Sequence, residues 1–158
     1  LTLNTGNGII LVGHDSERRT LVDGYEASGS YKRNIKYGIS MQDIVTIMNQ
    51  STNCEQFIKY ECHASVILTD GWWVSRQGSK MNYWGGAAVN SRKCACGMTN
   101  TCADGKECNC NANDMTWRED SGYLTDKNTL PVTELRFGDT GSGSEKGYHT
   151  LGKLRCWG

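Results

Sequence analysis

The chemistry of this chain is concentrated in its cysteines. There are eight, an even number: Cys54, Cys62, Cys94, Cys96, Cys102, Cys108, Cys110 and Cys156, with five of them inside residues 94–110. Thiols at this density serve either a tetrahedral metal or disulfides. Zinc sites present C-x₂₋₄-C pairs, because that spacing lets two thiolates reach one ion. Here the close pairs are C-x-C, Cys94/Cys96 and Cys108/Cys110, and none of His14, His63 and His149 lies near them in sequence. The spacing therefore favours disulfides, which form and persist in secreted and cell-surface proteins. Asn49-Gln50-Ser51 is an N-glycosylation sequon, with Asn49 as acceptor, and fits the same compartment.

Catalytic patterns are missing. There is no G-x-S-x-G elbow, no H-E-x-x-H, no P-loop, and no G-x-G-x-x-G after a strand. His63 adjoins Cys62, which as half of a disulfide cannot act as a nucleophile. Glu119-Asp120 is an adjacent acidic pair; two carboxylates flanking a glycosidic bond would be needed for hydrolysis, and adjacent acids on a loop are usually only solvated. The expectation is a non-enzyme. One cofactor is considered, calcium. In Cys108–Asp120 (CNCNANDMTWRED), Asn111, Asn113, Asp114 and Asp120 offer oxygen ligands. The EF-hand glycine and distal glutamate are absent. The alternative is a loop of Asx turns, in which Asn side chains bond their own backbone.

Few regular elements are available to position these groups. Ile9-Ile10-Leu11-Val12 reads as a strand and residues 1–8 as a loose lead-in. Residues 13–34 are turn-rich with short strands. Met41, Ile44, Val45 and Met48 recur on one helical face behind Ser40, a good N-cap, and predict the main helix at 40–51. Phe57, Ile58 and Tyr60 make a strand into Cys62, continued by Val66–Leu68. Residues 71–86 carry three of the five Trp. Aromatics in a Gly-rich loop can form a ligand surface, but large rings more often fill a core. Residues 94–114 depend on disulfides in place of regular structure. LPVTELRF, residues 130–137, reads as a strand opening at the only Pro. Residues 140–147 read as an exposed loop and 151–156 as a last short strand.

The length of 158 residues fits one domain, 1–158, able to bury a core without a partner. Seventeen basic residues balance seventeen acidic ones. That balance argues against a nucleic-acid or anionic-membrane partner, since both need clustered positive charge. No apolar run approaches the ~20 residues of a membrane span. The chain opens at Leu1, which reads as an excised domain or a processed product.

Several strings occur together: CEQFIKYEC at 54–62, Trp72-Trp73 followed by Tyr83-Trp84-Gly85-Gly86, Cys94-Ala95-Cys96-Gly97, CNCNAND, LPVTELRFGDTG and the terminal LGKLRCWG. In this order they resemble the fibrinogen-like domain of the contactin-associated protein / neurexin-IV group, over residues 9–158. That group usually has CNCDAD where this chain has Asn111 in place of the first Asp, which weakens a calcium site. A more distant similarity is to the last half of fibrillar-collagen C-propeptides, where the two matching cysteines pair; it implies a Cys62–Cys156 bond. The remaining six cysteines would then pair mostly among Cys54 and the 94–110 cluster. Both resemblances imply an extracellular α+β domain with a twisted, mainly antiparallel sheet, one main helix and long ordered loops.

The function expected is non-enzymatic, lectin-like recognition of a glycan or extracellular protein, at the cell surface or after secretion. The rival expectation is a structural or adhesion module of a larger protein. Candidate binding residues are Tyr83, Trp84, Asn111, Asn113, Asp114 and Trp117. A homo-oligomer is compatible with the sequence.

Overall fold

The computed structural model describes residues 3–4 and 8–158. The described residues are built mainly of antiparallel sheet with one α-helix, an α+β arrangement closed by four disulfides. The larger sheet is centred on two long strands, β5 (Asn53–His63) and β9 (Lys146–Trp157). Around them run β1 (Leu3–Asn4), β2 (Ile9–Val12) and β7 (Arg118–Leu124), in the order β1-β2-β9-β5-β7, while β3 (Thr20–Val22) also pairs β9. The smaller sheet has the order β4-β8-β6: β4 (Tyr31–Asn34), β8 (Glu134–Phe137) and β6 (Trp72–Val74). The loose lead-in expected at 1–8 falls largely outside the described residues; within it, Leu3 and Asn4 pair with Val12 and Leu11.

Strict alternation explains β5. Cys54, Gln56, Ile58, Tyr60 and Cys62 point inward, and the residues between them are half-buried or exposed. On β9 the alternation shifts once, where Gly152 and Lys153 face Phe57 alone and form a bulge. The two sheets meet through aromatic rings. Phe137 of β8 lies parallel to Tyr60 of β5 at 4.3 Å and to His149 of β9 at 5.8 Å.

Helix α1 (Met41–Gln50) starts where expected. The Ser40 Oγ accepts the Asp43 N–H at 3.1 Å, and Ile44 and Met48 are buried. Lys127 Nζ donates to the carbonyls of Met48 (3.0 Å) and Ser51, satisfying the helix C-terminus. Deep in the core, Gln56 is fully satisfied. Its Nε2 donates to the Tyr37 hydroxyl (2.8 Å) and Gly152 carbonyl (3.1 Å), and its Oε1 accepts the Val132 N–H (2.9 Å).

Three expected elements are corrected. Val66–Leu68 does not continue β5: Ala64 and Leu68 both have left-handed backbones, with φ 52° and 72°, which a strand cannot contain. LPVTELRF forms a strand only from Glu134, because the Val132 N–H is taken by the Gln56 side chain. The last strand is longer than expected, 12 residues, because β2, β3 and β5 all pair with it.

The disulfides are Cys54–Cys156, Cys62–Cys110, Cys94–Cys108 and Cys96–Cys102. The expected Cys62–Cys156 bond is therefore wrong, and sheet register gives the reason. Antiparallel pairing sets Cys54 opposite Cys156, and Cys62 opposite Gly147. Cys62 lies eight residues further along β5, roughly 27 Å from Cys156 at strand rise, beyond the reach of any disulfide.

Candidate functional site

Residues 107–119 form a segment with little regular structure, fixed from beneath. Cys108 and Cys110 bond it to Cys94 and Cys62. Asp120, the first inward residue of β7, is buried and accepts the N–H of Asn109 (2.9 Å) and of Cys110 (2.8 Å) on its two oxygens. Burial pushes its carboxyl above the usual range while these two amides pull it back. The expectation of a solvated Glu119-Asp120 pair fails for Asp120, because β7 alternation turns it inward.

The two carboxylates of the expected calcium set are both engaged within the chain. Asp120 spends both oxygens on backbone amides. Asp114 Oδ1 and Oδ2 accept the Arg118 guanidinium at 3.0 and 2.8 Å, which holds its carboxyl below the usual range. A guanidinium on both oxygens occupies the place a cation would take. Asn113 is the left-handed cap of a single 3₁₀ turn, Asn109–Ala112, as an Asx-rich loop would have.

Tyr83 and Trp84, expected at a ligand surface, are core residues. Trp84 is fully buried and its Nε1 donates to the Asp120 carbonyl at 2.9 Å. Tyr83 is buried too, packed edge-on against Trp73. Gly85 sits so close to Gly122 of β7 that a Cβ on either would collide with the other's backbone. This contact draws the YWGG string under the sheet.

Trp117 goes the other way. It is 48% exposed at the entrance to β7. Its ring lies 5.3 Å from His63 and 5.7 Å from Tyr148. The Arg19 guanidinium covers Tyr148 at 3.5 Å and is held by Glu61 at 2.8 Å. Arg19, Glu61, Trp117, Arg118 and Glu119 line a recess of about 290 Å³. Exposed Leu21, whose strand partner is Tyr148, extends this apolar surface, and exposed Met115 precedes Trp117 on the same segment. Glu107 and Asn111 of the same segment line a larger cleft of about 610 Å³ together with Leu68, Thr69, Lys80, Asn82 and Arg92.

No protein-family model matches the chain. Against curated proteins it is 38% identical to Neurexin-4 of Drosophila melanogaster over 97% of its length. It is 34% identical to Contactin-associated protein 1 of Rattus norvegicus, and 33% to that of Homo sapiens, each over 94% of its length. The chain belongs to the Neurexin-4 / Contactin-associated protein family. It spans only 13% of Neurexin-4 and 11% of each Contactin-associated protein 1.

Within this chain, the sequence pointed to Trp117 and Asn111 but not to their neighbours. Tyr148 and His63 had a usable signal, since both fall on the outward phase of long alternating strands. Arg19, Lys80, Asn82, Arg92 and Glu107 had none, because they arrive from separate loops or turns. Asn49 lies exposed in the last turn of α1.

Proposed function

We propose that this chain is a non-enzymatic, extracellular adhesion module of fibrinogen-like type. In this reading the Trp117 surface, with Tyr148, His63 and Arg19, is its binding face for a protein partner. The observation carrying the proposal is that these residues touch in a continuous group, Trp117 and Arg19 exposed and His63 and Tyr148 half-buried, with Trp117 on a segment tied to β5 by Cys62–Cys110. Trp, Tyr and Arg dominate binding hot spots: the two rings bury large areas with few rotors to freeze, and Arg adds a planar fork of donors. Exposed Leu21, opposite Tyr148, and exposed Met115, two residues before Trp117, add apolar area. Homology to Neurexin-4 and Contactin-associated protein 1 supports cell-surface adhesion, and the latter's name supplies a first partner class, the contactins. Among the described residues, no helix is long and apolar enough to cross a membrane.

Surface plasmon resonance of the immobilised chain against a contactin ectodomain tests this. Saturable binding is expected, weakened at least about tenfold, or ~1.4 kcal/mol, in Trp117→Ala and in Arg19→Ala. Binding indifferent to both variants would remove the surface from the account. No binding to a contactin would favour the module acting as a spacer.

A further inference from the structure

We propose that the cleft bounded by Leu68, Lys80, Asn82, Arg92, Glu107 and Asn111 is a second ligand site, separate from the Trp117 surface, and that it takes an acidic saccharide. Asn82 Oδ1 and Asn111 Oδ1 are both shielded from solvent, and neither accepts a hydrogen bond. Both residues line this one cleft. Shielded carbonyl oxygens in folded proteins are almost always paired; two orphans among the residues lining one cleft are left for donors that a ligand brings once these side chains turn towards it. The volume, about 610 Å³, lies within the range of small-molecule sites.

The charges define the rest of the ligand. Lys80 and Arg92 face the cleft with Glu107 as the single acid, leaving net positive charge. Lys80 Nζ sits 3.8 Å over the Trp72 ring, which lines a neighbouring recess, so Lys80 is shared between the two and Arg92 is the cation that belongs to this cleft alone. Two lining residues, Leu68 and Arg92, hold left-handed backbones at φ 72° and 59°. A side chain delivered from such a conformation is kept there by its surroundings, a pattern that clusters at ligand sites. A ligand matching this wall carries a carboxylate or sulfate for Arg92 and Lys80, O–H or N–H donors for the two Asn carbonyls, and hydroxyls for Glu107. An acidic sugar combines all three in a small rigid frame. An extended peptide fits less well, since it gains affinity by pairing with a strand edge, and every residue lining this cleft lies outside the strands.

The test uses the intact chain and two probes, 3′-sialyllactose and an unsulfated chondroitin disaccharide, with lactose as the uncharged counterpart. Isothermal titration should show saturable binding of at least one acidic probe, with lactose weaker by about tenfold or more. Arg92→Ala, on an exposed loop, and Asn111→Leu should each weaken the acidic probe about tenfold while melting like the parent. Trp117→Ala should leave it unchanged, so this site and the adhesion face succeed or fail separately. The proposal is overturned by no binding of either acidic probe at about 10 mM, by equal affinity for lactose, or by acidic-probe binding that survives both cleft variants. Binding of an acidic peptide through the same residues, without sugar binding, would also overturn it.

Discussion

Residues 71–86 and 107–119 are both aromatic-bearing segments with little regular structure, and they are held by opposite means. The first is held by burial. Trp73 and Trp84 are fully enclosed, and their indole N–H groups reach the carbonyls of Tyr83 (2.7 Å) and Asp120 (2.9 Å). The second is held by covalent bonds and by Asp120, and leaves Trp117 and Met115 in solvent, 48% and 70% exposed. A loop that must bury its rings to stay folded cannot offer them to a partner. A loop fixed by disulfides can, because its order does not depend on where its tryptophan points.

The largest expected effect tests the covalent side of this contrast. Cys54–Cys156 spans 102 residues and Cys96–Cys102 only 6. In the chain-entropy model, removing the first by paired Ala substitution costs about 4.7 kcal/mol and the second about 2 kcal/mol. Urea unfolding of both paired variants measures the difference. Equal losses would mean that native contacts, not loop length, set the worth of each bridge.

Burial should produce an effect nearly as large. Trp84→Ala should cost ~3–5 kcal/mol, as for other buried large aromatics. Peptide mapping should show every disulfide intact in that variant. A loss below ~1 kcal/mol would erase the distinction between the two segments.

Acid should loosen the buried side first. His149 is fully buried, its Nε2 bonds the Tyr31 hydroxyl at 2.8 Å, and its Nδ1 has no partner. Burial, with Arg33 nearby, pulls its pKa from 6.5 down to about 4. The unfolded chain therefore takes up this proton before the folded one does. The stability it contributes is present above pH 6.5 and lost as pH falls towards 4, on the order of 3 kcal/mol. Asp139 works in the opposite sense. Burial, with Glu145 beside it, raises its pKa to about 6, so protonation of the folded state offsets part of the loss between pH 6 and 4. Hydrogen exchange at pH 4.5 should show faster opening at 31–34 and 134–137, the strands whose Tyr31 and Phe137 pack on His149, with protection kept at 107–112. His149→Gln should flatten the stability profile between pH 6.5 and 4; an unchanged slope would assign the acid sensitivity elsewhere.

The smallest stability effect belongs to the exposed tryptophan. Trp117→Ala should shift unfolding by no more than ~0.5 kcal/mol. A loss above ~2 kcal/mol would make Trp117 a structural residue and weaken its case as a binding group.

Much of the local structure was legible in the residues. Ser40 with the Met41–Met48 periodicity specified α1, and the apolar run at Ile9–Val12 specified β2. The even cysteine count and C-x-C spacing specified disulfides, and the family strings pointed to the relatives later matched. β7 was hidden, because Gly122 and three charges at 118–120 mask its alternation.

The sequence alone determined what each segment could become, since capping, periodicity and thiol spacing act within a few residues. Tertiary structure decided which segments meet. Cys156 bonds Cys54 and not Cys62 because β5 and β9 run antiparallel in one register. Trp84 is inside because Gly85 and Gly122 let two backbones touch, and Trp117 is outside because Cys62–Cys110 fixes its segment above the sheet. Asn82 and Asn111 share a cleft although 29 positions separate them, a juxtaposition that no local pattern encodes.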